Sequence, residues 1–220
     1  MPAPARLPIF PLPLVLLPGE IQPLHIFEPR YRQLLGDCLD GNRTFGLVCR
    51  TAEVAEREIP AGTAGCVAHV DTSQALPDGR SNITVSGRSR FTLEHFVDDP
   101  APYHVALVSP LDDMDEAEDE MFPLADRLRS LFTRVGRSAR AIQDDSTPLP
   151  ELPPSPAALS FAIGQYIDLD LETKQQLLAT TSPFERLRQL DRVLTPIVDS
   201  VEQRALVHTR ARHNGHGTLP

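Results

Sequence analysis

Lys174 is the only lysine in this chain of 220 residues, and its setting decides much of the chemistry open to the protein. A phosphate cradle of the G-x-x-x-x-G-K-[ST] type needs a glycine-rich turn before the lysine, so that backbone N–H groups can ring the phosphates. Thr173 precedes Lys174 and Gln175, Gln176 and Leu177 follow it, without such a turn, so ATP hydrolysis of that type is excluded. A Ser-Lys peptidase dyad has only Lys174 to draw on. A lysine base must be desolvated to lose its proton near neutral pH, and the polar helix expected around Lys174 points it at solvent. No G-x-S-x-G elbow, H-E-x-x-H helix or G-x-G-x-x-G turn occurs either.

Seven histidines remain. His25, His69, His95 and His104 fall on or beside expected strands, where a barrel could gather them, but no ligand spacing joins them and structural roles are expected. His208, His213 and His216 lie in a polar C-terminal stretch suited only to adventitious metal. Cys38, Cys49 and Cys66 form neither a CxxC pair nor a disulfide framework, and read as buried free thiols in a reducing cytoplasm. Neither a metal nor a cofactor is expected.

The elements that must position these residues fall into two regimes. Hydrophobic residues make up 41% and charged residues 23%, ordinary globular usage, while 22 prolines impose many turns. Leu7–Leu12 and Leu14–Leu17 read as short apolar strands between prolines, which strands tolerate at edges and ends. Pro29 suits the first turn of a helix whose Tyr31, Leu34, Leu35, Cys38 and Leu39 recur at helical spacing. Phe45–Cys49 is strand-like, Thr51–Glu58 is a loop, and alternation around Cys66–Val70, Ile83–Val85, Phe91–His95 and Tyr103–Leu107 gives further strands, with a hairpin turn at Asp78-Gly79. Several short strands with one inserted helix predict a small closed or half-closed barrel.

From the acidic run Asp112–Glu120 onward the periodicity is helical, and the run itself is expected to favour a helix N-terminus. Met121 to Val135 forms one amphipathic helix, residues 144–156 a proline-rich linker, Ser155-Pro156 the start of the next helix, and Asp170 the cap of a short one. Ser182-Pro183-Phe184-Glu185 is a capping box opening a long helix, kinked at Pro196. The expected organisation is therefore α+β: a β-barrel subdomain over 1–111, a helical bundle over 112–207, and a flexible tail over 208–220. Seven acids in the run supply most of the net charge of −9. A chain so acidic, with no basic block, lacks the footprint for phosphate backbones. No apolar stretch approaches a membrane span, and the prolines of residues 7–19 break a secretory core, so a cytoplasmic location is expected.

One segment packs charge among apolar residues: Pro18-Gly19-Glu20-Ile21-Gln22-Pro23-Leu24-His25-Ile26-Phe27-Glu28-Pro29-Arg30-Tyr31-Arg32. Glu28, Arg30 and Arg32 beside Leu24, Phe27 and Tyr31 predict a strand-to-helix corner locked by an ion pair. The same segment closely resembles the P-G-x-x-x-P-L-x-I-F-E-x-R-Y run of the N-terminal substrate-binding domain of Lon proteases. Asp78-Gly79-Arg80 before Ile83, Gly87-Arg88-Ser89-Arg90-Phe91, Pro102-Tyr103 and, later, Lys174-Gln175 and Arg186-Leu187 extend the resemblance over about residues 7–205 in order. It implies a PUA-like pseudo-barrel followed by a helical bundle, with Pro18, Gly19, Leu24, Glu28 and Tyr31 as the structural motif.

Lon proteases continue into ATPase and peptidase domains that this sequence lacks, so the resemblance implies a stand-alone, non-catalytic module that holds unfolded or apolar polypeptide, for delivery to a protease or chaperone. A barrel edge and an adjoining groove take such chains by strand addition and apolar pockets. His25, Phe27, Arg30, Arg90 and Tyr103 are the candidate groove residues. An RNA-binding PUA-like module and a hydrolase using barrel histidines are the alternatives, the first opposed by acidity and the second by the missing motifs.

Overall fold

The computed structural model describes residues 4–215, with side chains through residue 208. The strands are β1 (Ala5–Leu12), β2 (Ile21–Ile26), β3 (Thr44–Cys49), β4 (Ala64–Ala75), β5 (Ser81–Val97) and β6 (His104–Pro110). The helices are α1 (Pro29–Asp40), α2 (Glu118–Gln143), α3 (Pro156–Tyr166), α4 (Leu171–Ala179) and α5 (Pro183–Gly215). These elements form two compact units, one holding the chain up to Met114 together with Gly164–Thr181, the other holding Asp115–Ile163 and the chain from Ser182 on.

In the first unit the strand order is β2-β5-β4-β3-β1-β6, and β6 pairs back onto β5, so the sheet closes into a ring that leaves β2 outside it. β1 and β3 run parallel, which requires a crossover between them, and α1 lies in that connection. Inside the barrel, Ile9, Val48, Phe91, Leu93, Ala106 and Val108 pack with Ile59 from the loop after β3. α1 buries the stripe Tyr31, Leu34, Leu35 and Cys38, and the Tyr31 ring lies 4.0 Å from that of Phe10 on β1.

β5 is one strand of 17 residues, continuous through Ser86–Arg90. Its first half pairs with β2 and its second half with β6, so it links the added strand to the barrel. At the junction stands Gly87. A Cβ there would lie 2.1 Å from the Leu17 carbonyl oxygen, while Gly87 donates to the carbonyl of Glu20 at 2.8 Å and accepts from the Gly19 N–H at 2.9 Å. The backbone of the Pro18-Gly19 turn thus presses directly on β5, and Gly19 takes the φ of +82° that the turn requires.

α4 belongs with the barrel because polar groups tie it there. Lys174 Nζ lies 2.7 Å from Glu20 Oε1, Gln175 Nε2 donates to the Ala64 carbonyl at 2.9 Å, and Arg90 of β5 donates to the carbonyls of Leu178 and Thr180 at its C-terminal end. Asp170 caps its start by accepting from the Thr173 N–H. Lys174 is therefore not the solvent-facing side chain that its polar neighbours suggest. Its helix turns it onto the buried carboxylate of Glu20.

In the second unit α2 and α5 lie side by side in parallel, with Arg127 Nε 2.7 Å from Asp191 and Arg134 Nε 2.8 Å from Glu202. Leu128, Leu131 and Phe132 of α2 and Leu187, Leu190, Leu194 and Val198 of α5 are buried. Arg186 is fully buried; its Nε donates to Ser160 Oγ at 2.8 Å and its guanidinium stacks 4.2 Å from the Phe161 ring centroid. Ser182 Oγ accepts from the Glu185 N–H, as the capping box requires.

Several expectations change. Leu14–Leu17 is not a strand, although Val15, Leu16 and Leu17 are buried; Pro13 and Pro18, which cannot donate to a ladder, close it off at both ends. Ile21–Ile26, expected only as part of a corner, is a strand. A single cut between 111 and 112 does not describe the packing, since α4 and the end of α3 join the barrel unit. α5 runs through Pro196 to Gly215, so the stretch expected as a tail from 208 is helical that far; His216 lies outside the described residues. The acidic run is divided among tasks, Asp113 pairing with Arg90, Glu116 accepting from Ser182 Oγ and the Phe184 N–H at the start of α5, and Glu118–Glu120 forming the first turn of α2. Cys38 and Cys66 are buried, with burial first among the causes that push their thiols up to about 11 and about 12, while Cys49 is only half-buried.

Gly87→Ala tests the junction. The added methyl must displace main chain rather than a flexible side chain, a cost of about 1–3 kcal/mol. The expected outcome is a cooperative melt at lower temperature, with hydrogen exchange accelerated first at Gly19 and along β2.

Candidate functional site

The β2 strand presents two different faces. Ile21, Pro23 and His25 are exposed, while Gln22, Leu24 and Ile26 turn inward. Register extends the exposed row across the sheet, with Ile21 beside Ser86 and His69, Pro23 beside Thr84 and Thr72, and His25 beside Asn82 and Gln74. The result is an open groove of about 340 Å³, lined by Pro23, Leu24, His25, Thr72, Gln74, Asn82, Ile83 and Thr84. No carboxylate or guanidinium lines it. Ile21 is 67% exposed and Phe27 58%, an unusual exposure for side chains of that size, and both flank the groove.

His25 and Phe27, two of the expected groove residues, come together. Their rings stack at 6.1 Å, and His25 Nδ1 lies 2.7 Å from Asn82 Oδ1. That bond fixes the imidazole against β5, and His25 is among the residues lining the groove. Ile21, Thr72, Gln74, Asn82 and Thr84 were missed by sequence reasoning. Their signal was the exposed phase of strand alternation, but it is readable only once the register of β2 on β5 is known.

Arg30 and Tyr103 sit elsewhere, the first in α1 and the second against it. Arg30 forms a fork to Glu56 at 2.6 and 2.8 Å and a further bond to Glu28 at 3.1 Å. The expected corner ion pair is present, but its main anchor is Glu56, from the 3-10 turn Glu56–Glu58 of the following loop. Arg32 takes no part and lies against Gly79 of the β4–β5 turn. Tyr31 donates to Glu56 at 3.3 Å, and His104 Nε2 lies 2.9 Å from the same carboxylate. Burial alone would raise the pKa of Glu56, but the bonds and charge of Arg30, and then of His104, outweigh it and hold the carboxyl below its usual value. Burial first, then the neighbouring Glu56, drives the Tyr31 phenol upward, so Tyr31 stays a donor. The Tyr103 hydroxyl donates to Asp37 at 2.7 Å.

Arg90 is 6% exposed. Two carbonyls at the end of α4 and the Asp113 carboxylate occupy its guanidinium, an arrangement that holds α4 and the chain after β6 in place. Of the motif residues, Pro18 and Gly19 make the turn into β2, Leu24 pairs with Ile83, Glu28 precedes α1, and Tyr31 is core. The barrel histidines do not converge: His69 pairs with Asp71 and His104 with Glu56. Ser86 donates to the same Asp71 carboxylate. Among the described residues no cluster of His, Cys, Asp and Glu could hold a metal, and no helix is long and apolar enough to cross a membrane.

Glu56→Gln tests the α1 network. A hydrogen bond to a charged group is worth about 1.5–3 kcal/mol, and the partial exposure of Arg30 brings the expected loss toward the lower end. Because the folded carboxyl titrates below its unfolded value, this stabilisation is complete above the ordinary glutamate range near pH ~4.3 and is lost as pH falls through the folded value. Thermal melts of the two proteins should therefore differ most at neutral pH and converge in acid.

A model of the ATP-dependent protease La (LON) substrate-binding domain matches residues 6–195. The chain is 27% identical over 212 residues to a Lon protease of Cytophaga hutchinsonii, covering 94% of this chain and 26% of that protein. It is 29% identical over 191 residues to a Lon protease of Anaeromyxobacter dehalogenans, covering 84% of this chain and 22% of the relative. It thus spans about a quarter of their length. A Lon N-terminal domain protein from Xanthomonas campestris superposes with a TM-score of 0.62 at 26% identity, covering 84% of this chain and 96% of that one. The N-terminal domain of the Mycobacterium avium complex Lon protease gives 0.65 at 22% identity, covering 87% and 98%. Because the family match runs from β1 into α5, well over half of the chain, the chain belongs to the Lon substrate-binding domain family.

Proposed function

We propose that this protein is a non-catalytic recognition module that holds exposed apolar segments of other polypeptides on the open face of β2, β5 and β4. The observation that carries the reading is the patch formed by Ile21, Pro23, His25 and Phe27 beside an uncharged groove. Burying a side chain of the size of Ile21 or Phe27 yields about 1.5–3 kcal/mol, so two such anchors account for useful affinity after the cost of ordering an extended chain is met. Thr72, Gln74, Asn82 and Thr84 supply donors and acceptors for amide groups of the bound segment without demanding a charge on it. The family name, which speaks of substrate binding, points the same way.

On this reading Phe27 and His25 touch the ligand, whereas Arg30, Arg90 and Tyr103 keep the surrounding elements in place. The experiment is titration of fluorescent unfolded polypeptides and apolar peptides with the wild type and with the double variant Ile21→Asp, Phe27→Asp. The expected outcome is binding by the wild type and a loss of at least about tenfold in the variant, since each ~1.4 kcal/mol is tenfold, with the melting temperature unchanged because both side chains are exposed. Equal binding by both proteins would move the site off this face.

A further inference from the structure

β2 has the makings of an adhesive edge. It pairs with β5 on one side and with no strand on the other among the described residues, its six residues IQPLHI carry no charge apart from the titratable His25, and Ile21 at its start is largely exposed. Edge strands of soluble proteins are ordinarily blunted by lysine or other charges, bulges, brevity or proline. In β2 the protecting feature that falls on the open side is Pro23.

The parity of the ladder puts it there. In an antiparallel pair the N–H and C=O of one residue point to the same side, and the side alternates along the strand. Gly87 both donates to and accepts from the Pro18–Glu20 turn, so Val85, Ile83 and Ser81 also face β2. They pair with Gln22, Leu24 and Ile26. The backbone groups of Ile21, Pro23 and His25 therefore face away from the sheet, and the middle member of that row has no N–H. Its ring carbon occupies the place where an incoming carbonyl would accept a hydrogen bond.

We propose that Pro23 determines how β2 is used: it prevents the open edge from forming a continuous main-chain ladder, with a second copy of this chain or with a guest, and leaves recognition to the side chains of the face. A second copy would approach antiparallel with Ile21 of one chain opposite His25 of the other, bringing the two Pro23 rings face to face, where neither can donate to the other's carbonyl; within one chain that carbonyl already accepts from Gln22 Nε2 at 3.1 Å. The guest half of the inference rests on the polypeptide-binding reading; the self-association half does not.

The test uses the full chain and Pro23→Thr, which restores the N–H and favours a strand. In sedimentation equilibrium, Pro23→Thr should self-associate at least about tenfold more strongly than the wild type, the scale of two or so restored hydrogen bonds. Adding Ile21→Pro, which removes an outward N–H that β5 does not use, should abolish the gain. Pro23→Thr that melts like the wild type and associates no more strongly overturns the proposal, as does a wild-type dimer that cross-links between its β2 strands. In a second arm, a peptide bound by the wild type is N-methylated at alternate residues. Wild-type affinity should stay within about twofold whichever set of residues is methylated, because no ladder is formed; a tenfold loss for one set would mean that a main-chain ladder holds the guest and overturns the guest half. If no peptide binds any variant, the function proposed above fails, and the self-association arm still decides the role of Pro23.

Discussion

The barrel unit depends on a contact between two backbones with no room for a side chain, the Gly87 main chain against the Leu17 carbonyl. Around it, Gly19 and Glu20 exchange hydrogen bonds with Gly87, and the Glu20 carboxylate turns back to accept from the Leu17 N–H while holding Lys174. The turn is thus pinned by main chain on one side and by a half-buried ion pair on the other. β2 starts from this fixed point, and its register on β5 follows. Shifting that register by one residue would exchange the exposed row of Ile21, Pro23 and His25 for Gln22, Leu24 and Ile26.

The distribution of charge follows a similar division of labour. Arg30, Arg90 and Arg186 each satisfy several acceptors inside their own unit, where they orient α1, α4 and the start of α5. Such groups lock geometry more than they add stability, because desolvation offsets much of the Coulomb gain. The groove beside β2 is lined by no carboxylate, ammonium or guanidinium. A neutral surface of this kind gives little electrostatic steering and little penalty against one sign of charge, which suits encounter with polypeptides of many sequences.

Much of the architecture could be read from residue order. The α1 stripe, the Asp78-Gly79 turn, the Asp170 cap and the Ser182 capping box are local features, and each appears where its spacing puts it. The strand Ile21–Ile26 was illegible because Pro23 interrupts it, and a proline tells against a strand unless the open side is known. Lys174 was misread for a comparable reason: its sequence neighbours are polar, but its partner Glu20 lies 154 positions away. Arg90 is a candidate groove residue within the Gly87-Arg88-Ser89-Arg90-Phe91 motif, whereas the carbonyls it satisfies come from a helix end that no local pattern connects to it. Of the candidate site, His25 and Phe27 were visible through the family motif; the polar floor contributed by β4 and β5 emerges only from cross-strand register.

The pairing of Lys174 with Glu20 also governs how the protein meets acylating chemistry. The ammonium is held against a carboxylate with its side chain only 19% exposed, and it is the sole side-chain amine in the sequence. Reagents and transferases that consume amines meet a nitrogen that is partly covered and engaged by a carboxylate, and any lifting of α4 from the Pro18–Glu20 turn bares it further. The rate of acylation at that one nitrogen thus reports on the opening of one helix.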